Sequence, residues 1–186
     1  MYLSKGEYKI KQTELSNIQT ENTFSIADIE FIKFSDEDGI TTAVANEPVF
    51  NSRFGKNNNF AESDVLKKLE EEVLPKIADA VGIENICDIT TDLTTLDGLK
   101  VYGEITSKIS LPTFDFYRAN VHIFDKYNPG RWWWLATADS AKPHYDPIWA
   151  FCVSPDGNLY YGGYYSDNGV RPILRFLSSI FVSCEE

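Results

Sequence analysis

A catalytic nucleophile needs a hydroxyl or thiol held beside a base, and this chain carries only two imidazoles, His122 and His144, to serve as that base. His122 sits in Ala119-Asn120-Val121-His122-Ile123-Phe124 and reads as a residue that packs one element on another. His144, in Pro143-His144-Tyr145-Asp146-Pro147, has a more exposed setting and with Asp146 offers half of a metal site. A metal centre requires three or four converging ligands, and no second cluster supplies them. Cys87, Cys152 and Cys184 form an odd set without CxxC spacing, which points to idle thiols rather than zinc ligands or a disulfide framework. Cys152 lies in the strand-like run 148–153, where cysteine acts as a small hydrophobe. These residues predict no enzyme, no cofactor and no metal site.

The chemistry that remains is recognition. Residues 127–165 hold Trp132, Trp133, Trp134, Trp149, Phe151 and six tyrosines, 11 of the chain's 26 aromatic residues. Such density makes a rigid core, a binding face, or both. Tyr145, Asp146, Tyr161, Tyr164, Tyr165 and Asp167 are the candidate partner-binding residues, with Tyr160 beside them. Tyrosine gives wide contact at low entropy cost, and the carboxylates steer a basic partner. Alternation along a strand sets Tyr160 and Tyr164 on one face and Tyr161 and Tyr165 on the other, unless Gly162-Gly163 forms a bulge, so at least half of these rings belong to the core. By the same rule Trp132 and Trp134 share a face, and Trp133 takes the other as a core residue.

The elements that must position these residues suit one domain: 186 residues, 43% hydrophobic and 24% charged, are enough to bury a single good core. Residues 26–34 and 40–45 read as a hairpin around Asp36-Glu37-Asp38-Gly39, and 51–59, with three consecutive asparagines, as a loop unable to build a core. Ser63 caps a helix whose apolar stripe is Val65, Leu69, Val73, Ile77 and Val81, with a kink near Leu74 imposed by Pro75 and a stop at Gly82. Residues 86–93 and 108–111 read as short strands, and Thr113 as the cap of a short helix. Runs 132–137, 148–153, 159–165 and 170–176 are β-rich, with a strong turn at Ser154-Pro155-Asp156-Gly157-Asn158. Residues 1–23 read as an arm that pairs as an edge strand, dimerises the domain or docks a partner, and 24–186 as the domain itself.

The formal charge of −11 argues against a sequence-independent grip on nucleic acid, which needs clustered lysine and arginine. It suits a basic partner. No apolar run approaches the ~20 residues of a membrane helix. The opening Met1-Tyr2-Leu3-Ser4-Lys5-Gly6-Glu7 lacks an apolar signal core, which predicts a cytoplasmic protein or a virion part with no membrane partner.

Trp133-Trp134-Leu135 and Gly169-Val170-Arg171-Pro172, together with the Arg53-Phe54 pair, the asparagine-rich loop, the Ser63-headed helix and the Gly157 turn, resemble the DUF6273 family over residues 29–177. The resemblance implies an α+β, C-type-lectin-like domain with antiparallel sheets and one or two packed helices, often encoded by phages or prophages. Members continue the tryptophan strand as WWLR and then Thr or Ser and Pro. Here the run is Trp133-Trp134-Leu135-Ala136-Thr137-Ala138, so no role of that arginine carries over. Arg171 does carry over. Its neighbours look like a buried strand, which predicts a guanidinium bonded to carbonyls or a carboxylate, pinning the terminal strand. Trp133, Trp134 and Arg171 are therefore read as structural.

Related folds include formylglycine-generating enzymes, which need a reactive cysteine pair, and calcium-dependent lectins, which use Glu-Pro-Asn or Gln-Pro-Asp loops. Cys152 and Cys184 lack an electropositive context, neither tripeptide occurs, and Asp36, Glu37 and Asp38 cannot alone give calcium its six to eight oxygens. Two functions follow. One is a non-catalytic, phage- or mobile-element-encoded inhibitor, anti-CRISPR-like, that docks on a basic, nucleic-acid-handling host protein. The other is a receptor- or glycan-binding domain of a virion or cell surface.

Overall fold

A computed structural model describes residues 10–144 and 146–185. The chain is mixed α+β, mostly strands with a few short helices. A seven-stranded antiparallel sheet runs in the order β1 (Ile10–Glu14), β14 (Phe181–Glu185), β2 (Thr23–Ile26), β3 (Ile29–Glu37), β4 (Ile40–Ala45), β13 (Ile173–Leu177) and β6 (Ile86–Cys87). A five-stranded sheet runs β11 (Leu159–Gly163), β10 (Trp149–Val153), β9 (Trp133–Ala138), β12 (Asn168–Val170) and β5 (Phe50–Ser52). A two-stranded ribbon joins β7 (Ile89–Asp92) to β8 (Glu104–Ser107).

The hairpin β3–β4 closes at Asp38-Gly39, both at positive φ, the conformation that makes Asp-Gly a turn pair. Asp36 is more than a turn residue. It ends a ladder in which the buried Lys33 ammonium donates to Asp36 Oδ2 at 2.6 Å and to the Leu15 carbonyl at 2.9 Å. Burial raises the Asp36 pKa, but hydrogen bonds from Lys33, Ser178 and Thr41 outweigh it and hold the carboxyl below its ordinary range. Leu15 is fully buried, and β1 pairs with β14 along its whole length, so the chain from Ile10 onward is built into the sheet.

Ser63 caps α1 (Asp64–Lys68) by accepting the Leu66 N–H at 3.0 Å. Pro75 cannot donate to the preceding turn, and the expected kink takes the form of a π turn over Leu69–Val73 leading into α2 (Leu74–Val81), which ends at Gly82 with φ +85°. Val65, Leu69, Val73 and Ile77 are buried along one stripe. Thr113 caps α3 (Phe114–Ala119), and α4 (Val121–Lys126) follows a break at Asn120. That break turns His122 outward, leaving its side chain 63% exposed and 3.5 Å from Glu21 rather than packed between elements. Of residues 108–111, only Ser110 makes a β-bridge, to Ile173, and the strand lies at β8 instead.

Strand β9 is buried at every position. Trp134 and Ala136 enter one hydrophobic cluster with Phe54, Phe60 and Leu69, while Trp133 and Leu135 enter a second with Phe124, Tyr117 and Phe151. The two tryptophans therefore staple opposite layers together, each removing on the order of 150–250 Å² from water. The distant motifs meet here, because β12 runs parallel to β9 with Gly169 beside Trp133. A Cβ on Gly169 would sit 2.7 Å from Pro48 and 3.0 Å from the Trp132 carbonyl, so this junction demands glycine. The run 170–176 is not one strand: it breaks at Arg171-Pro172, and β12 and β13 fall in different sheets.

Candidate functional site

The loop 53–59 carries a keystone. Asn58 is 1% exposed, and its amide donates to the carbonyls of Ser140 and Trp149, each at 2.9 Å, while its Oδ1 accepts the Tyr102 hydroxyl at 2.7 Å. Its backbone N–H reaches the Pro147 carbonyl at 3.2 Å. One side chain thus ties the 95–103 loop to both ends of the 139–149 loop. The asparagine run, expected to lie outside the core, supplies a buried cross-link through this member, flanked by buried Phe54 and Phe60.

The 53–59 and 139–149 loops and the adjoining strand rim border an open cavity of about 370 Å³ lined by Asn58, Asp139, Ser140, Asp146, Ile148, Trp149 and Tyr161. Trp149 and Tyr161 stand partly in water, 38% and 58% exposed, with ring centroids 5.7 Å apart at 68°. Strand register puts them there: β10 pairs Phe151 with Tyr161 and Trp149 with Gly163, so the two rings leave the same face of the sheet at its rim. Gly162 cannot be larger, since a Cβ would meet the Trp134 ring at 2.9 Å.

Three acidic groups shape the electrostatics. Burial, and then the neighbouring Asp97 carboxylate, push the Asp139 pKa above the ordinary value. Asp97 is held low by hydrogen bonds from Ser140 and Thr95, with His144 contributing. The Ser140 hydroxyl donates to Asp97 Oδ2 at 2.6 Å, and His144 Nδ1 lies 3.5 Å from the same oxygen. Serine and histidine both face the carboxylate instead of each other, which is the wrong order for a nucleophile and its base. Asp146 is exposed on the rim, with the equally exposed Lys142 ammonium 4.0 Å from its Oδ1. Among the described residues the lining itself carries two carboxylates and no lysine or arginine.

Of the residues singled out from the sequence, Asp146 and Tyr161 share this cavity. Tyr145 lies outside the described residues. Tyr164 is half-buried against the core, and its ring meets the exposed Tyr165 edge-on at 5.4 Å. Asp167 lines a different cleft, whose walls include Arg53, Lys67 and Lys68. Beyond Gly163 the strand ends, so the alternation expected through Tyr165 stops and no bulge is needed. Asn58, Asp139 and Trp149 were not among the expected site residues. The exposed-loop character of 143–147 was the one signal pointing near them.

Arg171 is fully buried, its guanidinium 4.7 Å from the Trp133 ring and 5.6 Å from Phe124. Nε donates to the Ala45 carbonyl at 2.9 Å and Nη2 to the Tyr127 carbonyl at 3.4 Å. Burial pulls its pKa down to about 10, opposed by Glu47 and then Tyr117, so it remains a cation at neutral pH. The strand that it opens is the penultimate one, with β14 following.

A second cleft of about 400 Å³ has Asp28, Glu30, Glu47 and Glu72 on its walls, but Lys76 shares it, Glu30 accepts from Asn46, and Glu47 faces Arg131. Among the described residues no group of three or more His, Cys, Asp and Glu is placed to hold a metal ion, and no helix is long and apolar enough to cross a membrane. In comparison with known proteins, no family model, no curated protein and no solved structure matches the chain.

Proposed function

We propose that the chain is a non-catalytic binding module that captures a lysine or arginine side chain of a basic protein between Trp149, Tyr161 and the carboxylates of Asp139 and Asp146. The observation that carries this reading is the pairing of two partly exposed rings with the Asp139 carboxylate in a cavity whose lining, among the described residues, has no lysine or arginine; Asp146 at the rim is shared with Lys142. A cation over an aromatic face gains about 0.5–2 kcal/mol, and more as water is excluded. Asp139 is held part-desolvated beside Asp97, so an arriving ammonium relieves a repulsion already present. The charge of −11 brings basic partners in and repels acidic ones. In its fullest form the proposal is an inhibitor, encoded by a phage or mobile element, that occupies the basic surface of a nucleic-acid-handling host protein.

Two observations favour binding over catalysis. Burial pushes the Cys152 thiol up to about 12, which removes it as a nucleophile, and the Ser140 hydroxyl is buried and committed to Asp97. The C-type-lectin-like reading of the fold goes with the same proposal, supported by the meeting of the WWL and GVRP motifs at one strand junction. The test is a binding panel of lysine- and arginine-bearing peptides beside a glycan array, with Trp149→Ala and Asp139→Asn as variants. The proposal expects peptide binding that both variants weaken. Glycan binding without peptide binding would overturn it in favour of a lectin-like surface domain.

A further inference from the structure

Among the described residues β11 is the outermost strand of its sheet, and the direction of the backbone groups that do not bond β10 follows from the register. Tyr164 N–H reaches the Ile148 carbonyl and Ser154 N–H the Asn158 carbonyl, both at 2.8 Å, so even-numbered residues of this strand bond β10. The N–H and C=O of Leu159 and Tyr161 therefore point away from the sheet, while the Gly163 carbonyl is taken by Ser166.

Open edges invite pairing, and proteins blunt them with lysine, proline or shortness. The other ends of the two larger sheets conform: β1 carries the exposed Lys11, β6 has two residues, and β5 has three. β11 has five residues with no charge and no proline, and residues 156–167 around it carry Asp156 and Asp167 with no lysine or arginine. Aromatic pairs flank the edge on both faces. Tyr160 leaves on the face opposite Tyr161 and meets the exposed Trp132 edge-on at 5.4 Å, while Tyr161 meets Trp149.

We infer that β11 takes up an extended, lysine-bearing segment of the basic partner as an added strand. Alternate side chains of that segment then enter the Trp149–Tyr161 cavity on one face and cross the Trp132–Tyr160 rings on the other. The acidic surroundings of the edge choose a cationic segment over an acidic one, and over a second copy of this chain, whose own edge is equally acidic. This inference rests on the cavity reading above and adds the backbone to it.

The probe is a short acetylated peptide alternating lysine with valine, compared with the same peptide N-methylated at every second residue so that one edge cannot donate. Two variants of the protein complete the test. Tyr161→Pro removes the outward N–H, which an edge strand tolerates, and Tyr161→Ala removes only the ring. Strand addition predicts slowed exchange of the Leu159 and Tyr161 amides on binding, and affinity lower by about tenfold or more for the methylated peptide and for Tyr161→Pro relative to Tyr161→Ala. Equal affinity for both peptides, with Asp139→Asn weakening each, would overturn strand addition and leave the cavity reading standing. No binding of either peptide would overturn both. Concentration-dependent self-association abolished by Tyr161→Pro would assign the edge to a second copy and overturn the occupant named here.

Discussion

Strands β9 and β11 lie two apart in one sheet and each places aromatic residues side by side, yet their fates are opposite. Trp133 and Trp134 are 1% and 0% exposed, one in each hydrophobic layer. Tyr160 and Tyr161 are 52% and 58% exposed, one on each face, each meeting a partly exposed tryptophan. Residue type does not separate them. A central strand has layers on both faces and strands on both edges, so an aromatic there can only be core, while a rim strand leaves its rings where the layers end. The same contrast separates the two electrostatic centres. Arg171 is a cation sealed between rings, with Nε and Nη2 on carbonyls, whereas the Trp149–Tyr161 cavity offers rings and the Asp139 carboxylate to a cation that must come from elsewhere.

The contrast breaks if the rim aromatics prove as structural as the central ones. Trp134→Ala should cost about 3–5 kcal/mol in urea unfolding, since it empties a packed site and removes an indole donor from the Ser52 carbonyl. Tyr161→Ala should cost no more than about 0.5 kcal/mol, as surface changes do. Comparable losses would erase the distinction. Asn58→Ala comes next, at about 2–3 kcal/mol, because it strips donors from two carbonyls and the acceptor from Tyr102. It should also speed amide exchange across residues 139–149, joining the rim to the core by the one side chain that spans both.

How much of this was legible in the sequence divides by range. The Asp38-Gly39 turn, the Ser63 cap and the Thr113 cap are local chemistry, readable from neighbours within three or four residues. Asn58 was not, because its partners Ser140 and Trp149 lie 82 and 91 residues away and nothing in an asparagine run announces which member will be buried. Asp146 and Tyr161 could be chosen as a charged and an aromatic residue in one region. That Asp139 completes the cavity depends on loop placement, as does the departure of Asp167 to a cleft with its own cations. Arg171-Pro172 was misread as mid-strand because its apolar neighbours continue on both sides. Pro172 cannot donate to a ladder, and the chain changes sheets there.

The smallest effect sharpens the comparison through pH. The Asp139 pKa is raised in the folded state, so folding disfavours its charged form relative to the unfolded chain. The stability it contributes is present below its unfolded value and lost as pH rises through the raised folded value. Asp139→Asn should therefore stabilise the protein at neutral pH, by no more than about 1 kcal/mol for a partly solvated group, while weakening cation capture. Capture itself should fail as pH drops through the raised Asp139 value, earlier than for an ordinary carboxylate.

The most direct measurement is the titration of the Asp139 carboxyl by NMR with and without n-butylammonium, a lysine side chain freed of its backbone. A cation seated between the rings and the carboxylate lowers the Asp139 pKa and shifts the Trp149 indole resonance, and Trp149→Ala abolishes the Asp139 change. An Asp139 titration unmoved by saturating butylammonium, with the Trp149 indole unshifted, would contradict the account.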